Sequence, residues 1–133
     1  MQNEQEALCE LLMQQKKKYV KLNEVLDLTI QLAEAVDRSD AISASMLIAM
    51  RQEPMNSLAE IEKATKELLE HFTGVQAQRL QKLLRGRAEC QPEPNEKAID
   101  EQCQRNFRLL SKIVALDRPL NRKIGKDKAY YKQ

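Results

Sequence analysis

Glycine and proline are scarce here: three and four among 133 residues. That is about 5% of the chain, against roughly 12% on average. Tryptophan is absent, and aromatic residues make up only 4%. A β-sandwich or barrel needs many turn residues and many β-branched or aromatic ones, so those classes are excluded. No run approaches the roughly 18 uninterrupted apolar residues of a membrane span. The cysteines, Cys9, Cys90 and Cys103, are odd in number and form no CxxC pair. The first residues, MQNEQEALCE, are polar and acidic, unlike a secretory signal. These features read as a cytoplasmic protein with reduced thiols.

Catalytic groups are equally thin. The one histidine, His71, stands between Glu70 and Phe72 in a helical run and reads as a surface residue. There is no HExxH and no histidine pair, so no metal set is expected. Cys103 shares a helix face with Phe107 and reads as a small core residue rather than a nucleophile. Three glycines, Gly74, Gly86 and Gly125, are too few and too scattered for a phosphate-cradling loop. An enzyme, a cofactor and a small-molecule substrate are therefore not expected. Nucleic acid is not the expected partner either. Lys16, Lys17, Lys18 and Lys21 form one basic cluster and Arg79, Lys82, Arg85 and Arg87 another, but no known nucleic-acid-binding motif accompanies them.

What the chain does contain is helix-forming residues. Ala, Glu, Lys, Leu and Arg account for about half of it, a proportion typical of long helices. Positions 8, 12, 15, 19, 22, 26, 29, 33 and 36 step alternately by four and three. They form a heptad seam interrupted by polar Gln15 and Thr29. This predicts a first helix from Gln2 to Asp37, about 50 Å long. The seam suits an intramolecular bundle or a homodimer. Ser39 or Asp40 offers a side-chain cap for a second helix, 41–72, through Ile42, Met46, Leu47, Ala49, Met50, Leu58, Ile61, Thr65, Leu68 and Phe72. Pro54 should kink it, and Thr73-Gly74 should end it with Gly74 left-handed. A short helix, 75–88, follows through Leu80, Leu83 and Leu84. Pro92 and Pro94 mark a loop. A last helix, 95–117, shows Ile99, Cys103, Phe107, Leu110 and Val114, flanked by Leu109, Ile113 and Leu116. Arg118-Pro119 should stop it.

The expected architecture is all-α: an elongated antiparallel bundle of three long helices and one short helix. It comprises a single domain over 1–117 and a basic C-terminal tail over 118–133. The tail carries six basic residues and one acid, and reads as a flexible interaction segment or a frayed end. Met13, Met46, Met50 and Met55 read most simply as core filler. On the surface they would line a groove that accepts an amphipathic helix.

The stretch LLMQQKKKYVKLNEVLDLTIQLAEAVDRSDAISASMLIAMRQEPMNSLAEIEK, followed by QCQRNFRLLSKIVALDRPLN, resembles the FlgN-like flagellar export chaperones. Leu11, Leu12, Leu22, Leu26 and Leu32 match the family's first seam, Asp40 and Ile42 its turn, and Asn106 with Leu109-Leu110 its last helix. Pro54 and the double-proline loop depart from the pattern. The resemblance implies a chaperone that binds the C-terminal helical segments of hook–filament junction (hook-associated) proteins and keeps them soluble for the type III export apparatus. It also implies client contacts in the C-terminal part: Leu109, Leu110, Ile113, Leu116, Leu120, Ile124, Tyr130 and Tyr131. The alternative is a helical scaffold or coiled-coil adaptor in an unrelated complex.

Overall fold

The structure, a computed structural model, describes residues 3–86 and 91–126. The expected end of the third helix at Ala88 lies outside these residues. So do Gln2, Arg87, Cys90, Tyr130 and Tyr131.

The described residues form four α-helices and no strand: α1 (Glu4–Asp37), α2 (Ala41–Leu69), α3 (Gly74–Leu84) and α4 (Lys97–Lys126). A 3-10 turn, Pro94–Glu96, leads into α4. Local chemistry sets the boundaries. The Asn3 side chain accepts the Glu6 amide at 2.8 Å and caps α1. Ser39 takes a left-handed φ of 57° between α1 and α2. Asp40 accepts the Ser43 amide at 3.1 Å, and hydrogen bonds from the Ser43 side chain and then its amide hold the Asp40 carboxyl below the ordinary range. Gly86, at φ +73°, closes α3 as a left-handed cap.

A Cβ at Gly86 would stand 2.7 Å from the Phe107 ring. Gly86→Ala therefore meets both left-handed strain and a collision with α4. It should lower folding stability by about 1–3 kcal/mol in urea denaturation. Gly74, with open space around its Cβ position, should lose only the strain part.

α1 is the central element. α2 runs antiparallel along one side of it and α4 parallel along another, while the backbones of α2 and α4 approach each other little. Three apolar clusters follow one another along the molecule. At one end Ala7, Leu8, Leu11, Leu68 and Phe72 meet Leu80 and Leu83 of α3 and Ile99 and Cys103 of α4. In the middle Leu22 and Val25 meet Leu109 and Ile113, with Leu58 partly buried alongside. At the α1–α2 turn, Leu32, Ala35, Val36 and Ala44 meet Leu120 and Ile124.

The polar interruptions of the α1 seam are matched. Asn106 Nδ2 donates to the Gln15 carbonyl at 2.9 Å and to its side-chain oxygen at 3.0 Å. Thr29 Oγ1 donates to the Val25 carbonyl and accepts from Arg51, which also bonds Asp117 at 2.7 Å. Among the described residues no buried side-chain polar atom lacks a partner.

Two expectations are corrected. α4 does not stop at Asp117 but continues through Pro119 to Lys126, so residues 118–126 belong to the bundle and not to a separate tail. Proline at 119 removes its own N–H and frees the carbonyl of Ala115. Both residues face solvent, where water satisfies that carbonyl. Leu120 and Ile124 beyond them are buried. The methionines are the second correction: Met13, Met46, Met50 and Met55 are all exposed. The apolar members of the α1 and α2 seams are Leu, Ile, Val, Ala and Pro54, with Ala44 rather than Ile42 or Met46 turned inward.

Candidate functional site

The implied client residues divide by burial. Leu109, Ile113, Leu120 and Ile124 are core, so they are not free to meet a client while the bundle is folded. Leu116 is half-buried and Leu110 exposed. The seam of α4 is rotated from the expected one: Asn106 sits at its centre, and Phe107, Leu110 and Val114 fall on its flank. The signal for this rotation was polar. Asn106 is the residue that matches Gln15, and an apolar-only pattern passes over it.

That flank has a direction. Cys103, Leu110 and Asp117 are seven residues apart and form one line along α4. Cys103 shares a core cluster with Leu68 of α2 and with Phe72 just beyond its end, and Asp117 reaches Arg51 of α2. Leu110 between them therefore lies on the side of α4 that faces the gap to α2, with Phe107 and Val114 in the next line outward. A shallow trough of about 380 Å³ runs over Phe107, Leu110, Ser111, Val114, Ala115 and Arg118. On α2, Arg51 and Leu58 form the matching inner line, with exposed Met55 beside them.

α3 fills one end of the gap, since Gly86 abuts Phe107 and Leu80 and Leu83 are buried. The Leu120 and Ile124 cluster closes the other. Between them the Arg51–Asp117 pair spans the gap, with both side chains partly exposed. The trough itself is lined by α4 alone, with apolar Phe107, Leu110 and Val114 beside the charged Arg118.

Other features carry no comparable arrangement. A cleft of about 480 Å³ between α2 and α3 is lined by Leu69 and Phe72 under a mixed rim of Glu62, Lys66, Glu70 and Arg85. Burial pushes the Cys103 thiol up to about 12, so it is protonated and unreactive at neutral pH. Cys9 is exposed. His71 is on the surface. Among the described residues no three His, Cys, Asp or Glu side chains come together as a metal site, and no helix is long and apolar enough to cross a membrane.

Comparison with family models, curated proteins and solved structures gives no match.

Proposed function

We propose that this protein is a cytoplasmic helical chaperone of the flagellar type III export kind, one that holds an amphipathic helix of a hook-associated client. The observation that carries the reading is the exposed apolar flank of α4 over Phe107, Leu110 and Val114. Both α2 and α4 pack on α1 while their backbones approach each other little, and apolar Leu110 and Val114 remain exposed on the flank of α4. A helix laid there completes a four-helix bundle, the geometry of helix-in-groove recognition. The body is taken as an elongated bundle of three long helices and one short one, with a bend of α2 at Pro54 shaping the groove. The resemblance of the two quoted stretches to FlgN-like proteins supplies the class of client.

The test is a titration of the full chain with the C-terminal helical segments of the organism's hook–filament junction proteins. Micromolar or tighter binding is expected. Leu110→Asp with Val114→Asp should weaken it by about tenfold or more, because a carboxylate in an apolar groove loses its solvation. Both positions are exposed, so circular dichroism should show the helices unchanged. Absence of binding by the unaltered chain rejects the client assignment. A stable stoichiometric oligomer in its place would favour a scaffold.

A further inference from the structure

The opposite side of the α1–α2 hairpin carries a second apolar feature. Ile42, Met46 and Met50 recur every fourth residue on α2 and are 79%, 61% and 53% exposed. Two shallow troughs meet at Met50. One, of about 260 Å³, runs over Gln31, Glu34, Arg38, Ser43, Met46 and Leu47. The other, of about 370 Å³, runs over Lys21, Glu24, Asp27, Leu28, Glu53 and Pro54. From Ser43 to Pro54 the combined trough follows α2 for about 16 Å, or three helical turns.

Its rim is acidic. Glu24, Asp27, Glu34 and Glu53 stand against Lys21 and Arg38. Lys21 pairs with Glu24 of the rim at 3.3 Å and Arg38 with Asp40 at 3.6 Å, which leaves Asp27, Glu34 and Glu53 as the acids that face a partner. α4 meets α1 elsewhere, through Gln15 and Asp37, and does not line either trough.

We infer that this trough docks a basic amphipathic helix of a partner protein, with an apolar stripe over Met46 and Met50 and lysine or arginine along its edges. Methionine side chains adapt to the shape of such a stripe, while the carboxylates select the charge beside it. A second copy of the chain is the poorer occupant, since two-fold pairing of this face sets acidic rim against acidic rim. Phosphate-bearing partners are repelled by the same carboxylates. The site is independent of the α2–α4 groove, and the protein would then hold two helices at once, on opposite flanks of α2.

The probe is a synthetic helix of about 16 residues, long enough to span the trough, with leucines every fourth position and lysine flanks. Its control carries the same leucines and glutamate flanks. Fluorescence anisotropy against the full chain should give binding about tenfold or more tighter for the lysine peptide, weakening as salt is raised. Met50→Lys with Glu53→Lys should abolish the preference, and Leu110→Asp with Val114→Asp should leave it intact. Equal affinity for both peptides overturns the proposal. So does loss of binding only in the Leu110 and Val114 variant, which would place the peptide in the other groove. Self-association in sedimentation that disappears with Met50→Lys would assign the face to a second copy and overturn it too.

Discussion

Replacing Arg79 with methionine is expected to cost about 3–5 kcal/mol of folding stability at neutral pH, the usual effect of stripping the partner from a buried charge. The Glu96 side chain is fully buried. One carboxylate oxygen accepts Arg79 Nε at 2.7 Å and the Glu93 amide at 3.0 Å, and the other accepts Arg79 Nη2 at 2.9 Å. Burial by itself raises the carboxyl. The Arg79 hydrogen bonds, the Glu93 amide and the Arg79 charge outweigh it, and the net shift is downward. A carboxyl whose folded pKa is depressed stabilises the fold above its unfolded pKa, and that contribution is lost as pH falls through the folded value. In Arg79→Met burial loses its main opposition, the carboxyl rises, and protonation relieves the defect. The deficit of the variant should therefore shrink as pH falls through the ordinary glutamate range. Urea denaturation at neutral and acidic pH measures both effects. Lys123→Ala serves as the contrast: its pair with Asp37 is largely exposed, and about 0–1 kcal/mol is expected. If Arg79→Met is as mild as that, Glu96 is not the anchor the geometry makes it.

The pair matters beyond stability because of where it sits. Arg79 lies on α3 and Glu96 at the entrance to α4, so the bond ties the short helix to the last long one across the double-proline loop. It fixes one end of the α2–α4 gap, where Gly86 rests on Phe107.

Most helix boundaries could be read from local chemistry. Asp40 as a cap, Gly74 as a left-handed residue and the loop around Pro92 and Pro94 each act within a few residues of chain, so sequence spacing carries them. The seam of α1 was readable in part: Leu8, Gln15, Leu22, Thr29 and Val36 are buried as expected, whereas Leu12, Tyr19, Leu26 and Ala33 are half-buried and Leu11, Val25, Leu32 and Ala35 take the inward places beside them. What Gln15 and Thr29 bond to was not. Asn106 is 91 positions from Gln15 and Arg51 is 22 from Thr29, and nothing in the spacing of either helix announces the match. The same blindness hid the register of α4. Counting only apolar residues sets Phe107 and Leu110 inside and passes over Asn106, whereas the buried amide turns the helix so that Leu109 and Ile113 face α1 instead. In α2 the apolar positions 42, 46 and 50 look like a core stripe, but Ala44 takes the inward place. Ala44 is fully buried there against Leu32, Ala35 and Val36. The candidate sites follow from these displacements. They consist of apolar residues that a simple pattern assigns to the core and the packing leaves outside.

The second large effect is expected at Ile124. A basic, frayed tail would tolerate Ile124→Ala with no change in stability. In the folded chain Ile124 is 1% exposed and packs with Leu120 against Leu32, Val36 and Ala44, so the substitution should cost about 2–5 kcal/mol, as for other buried large-to-small changes. Leu120→Ala should fall in the same range, while Leu110→Ala, on the exposed flank, should cost less than about 1 kcal/mol. Thermal or urea denaturation of the three variants separates the two descriptions, and an Ile124→Ala protein as stable as the unaltered chain would return residues 118–126 to the solvent. The result also governs how client binding is mapped. A chain cut after Asp117 removes Leu120 and Ile124 with the tail and opens the cluster at the α1–α2 turn, so its failure to bind would report a loosened bundle as readily as a missing contact. Point changes at Leu110 and Val114 alter the groove without removing a core residue, and the client site should be assigned from those.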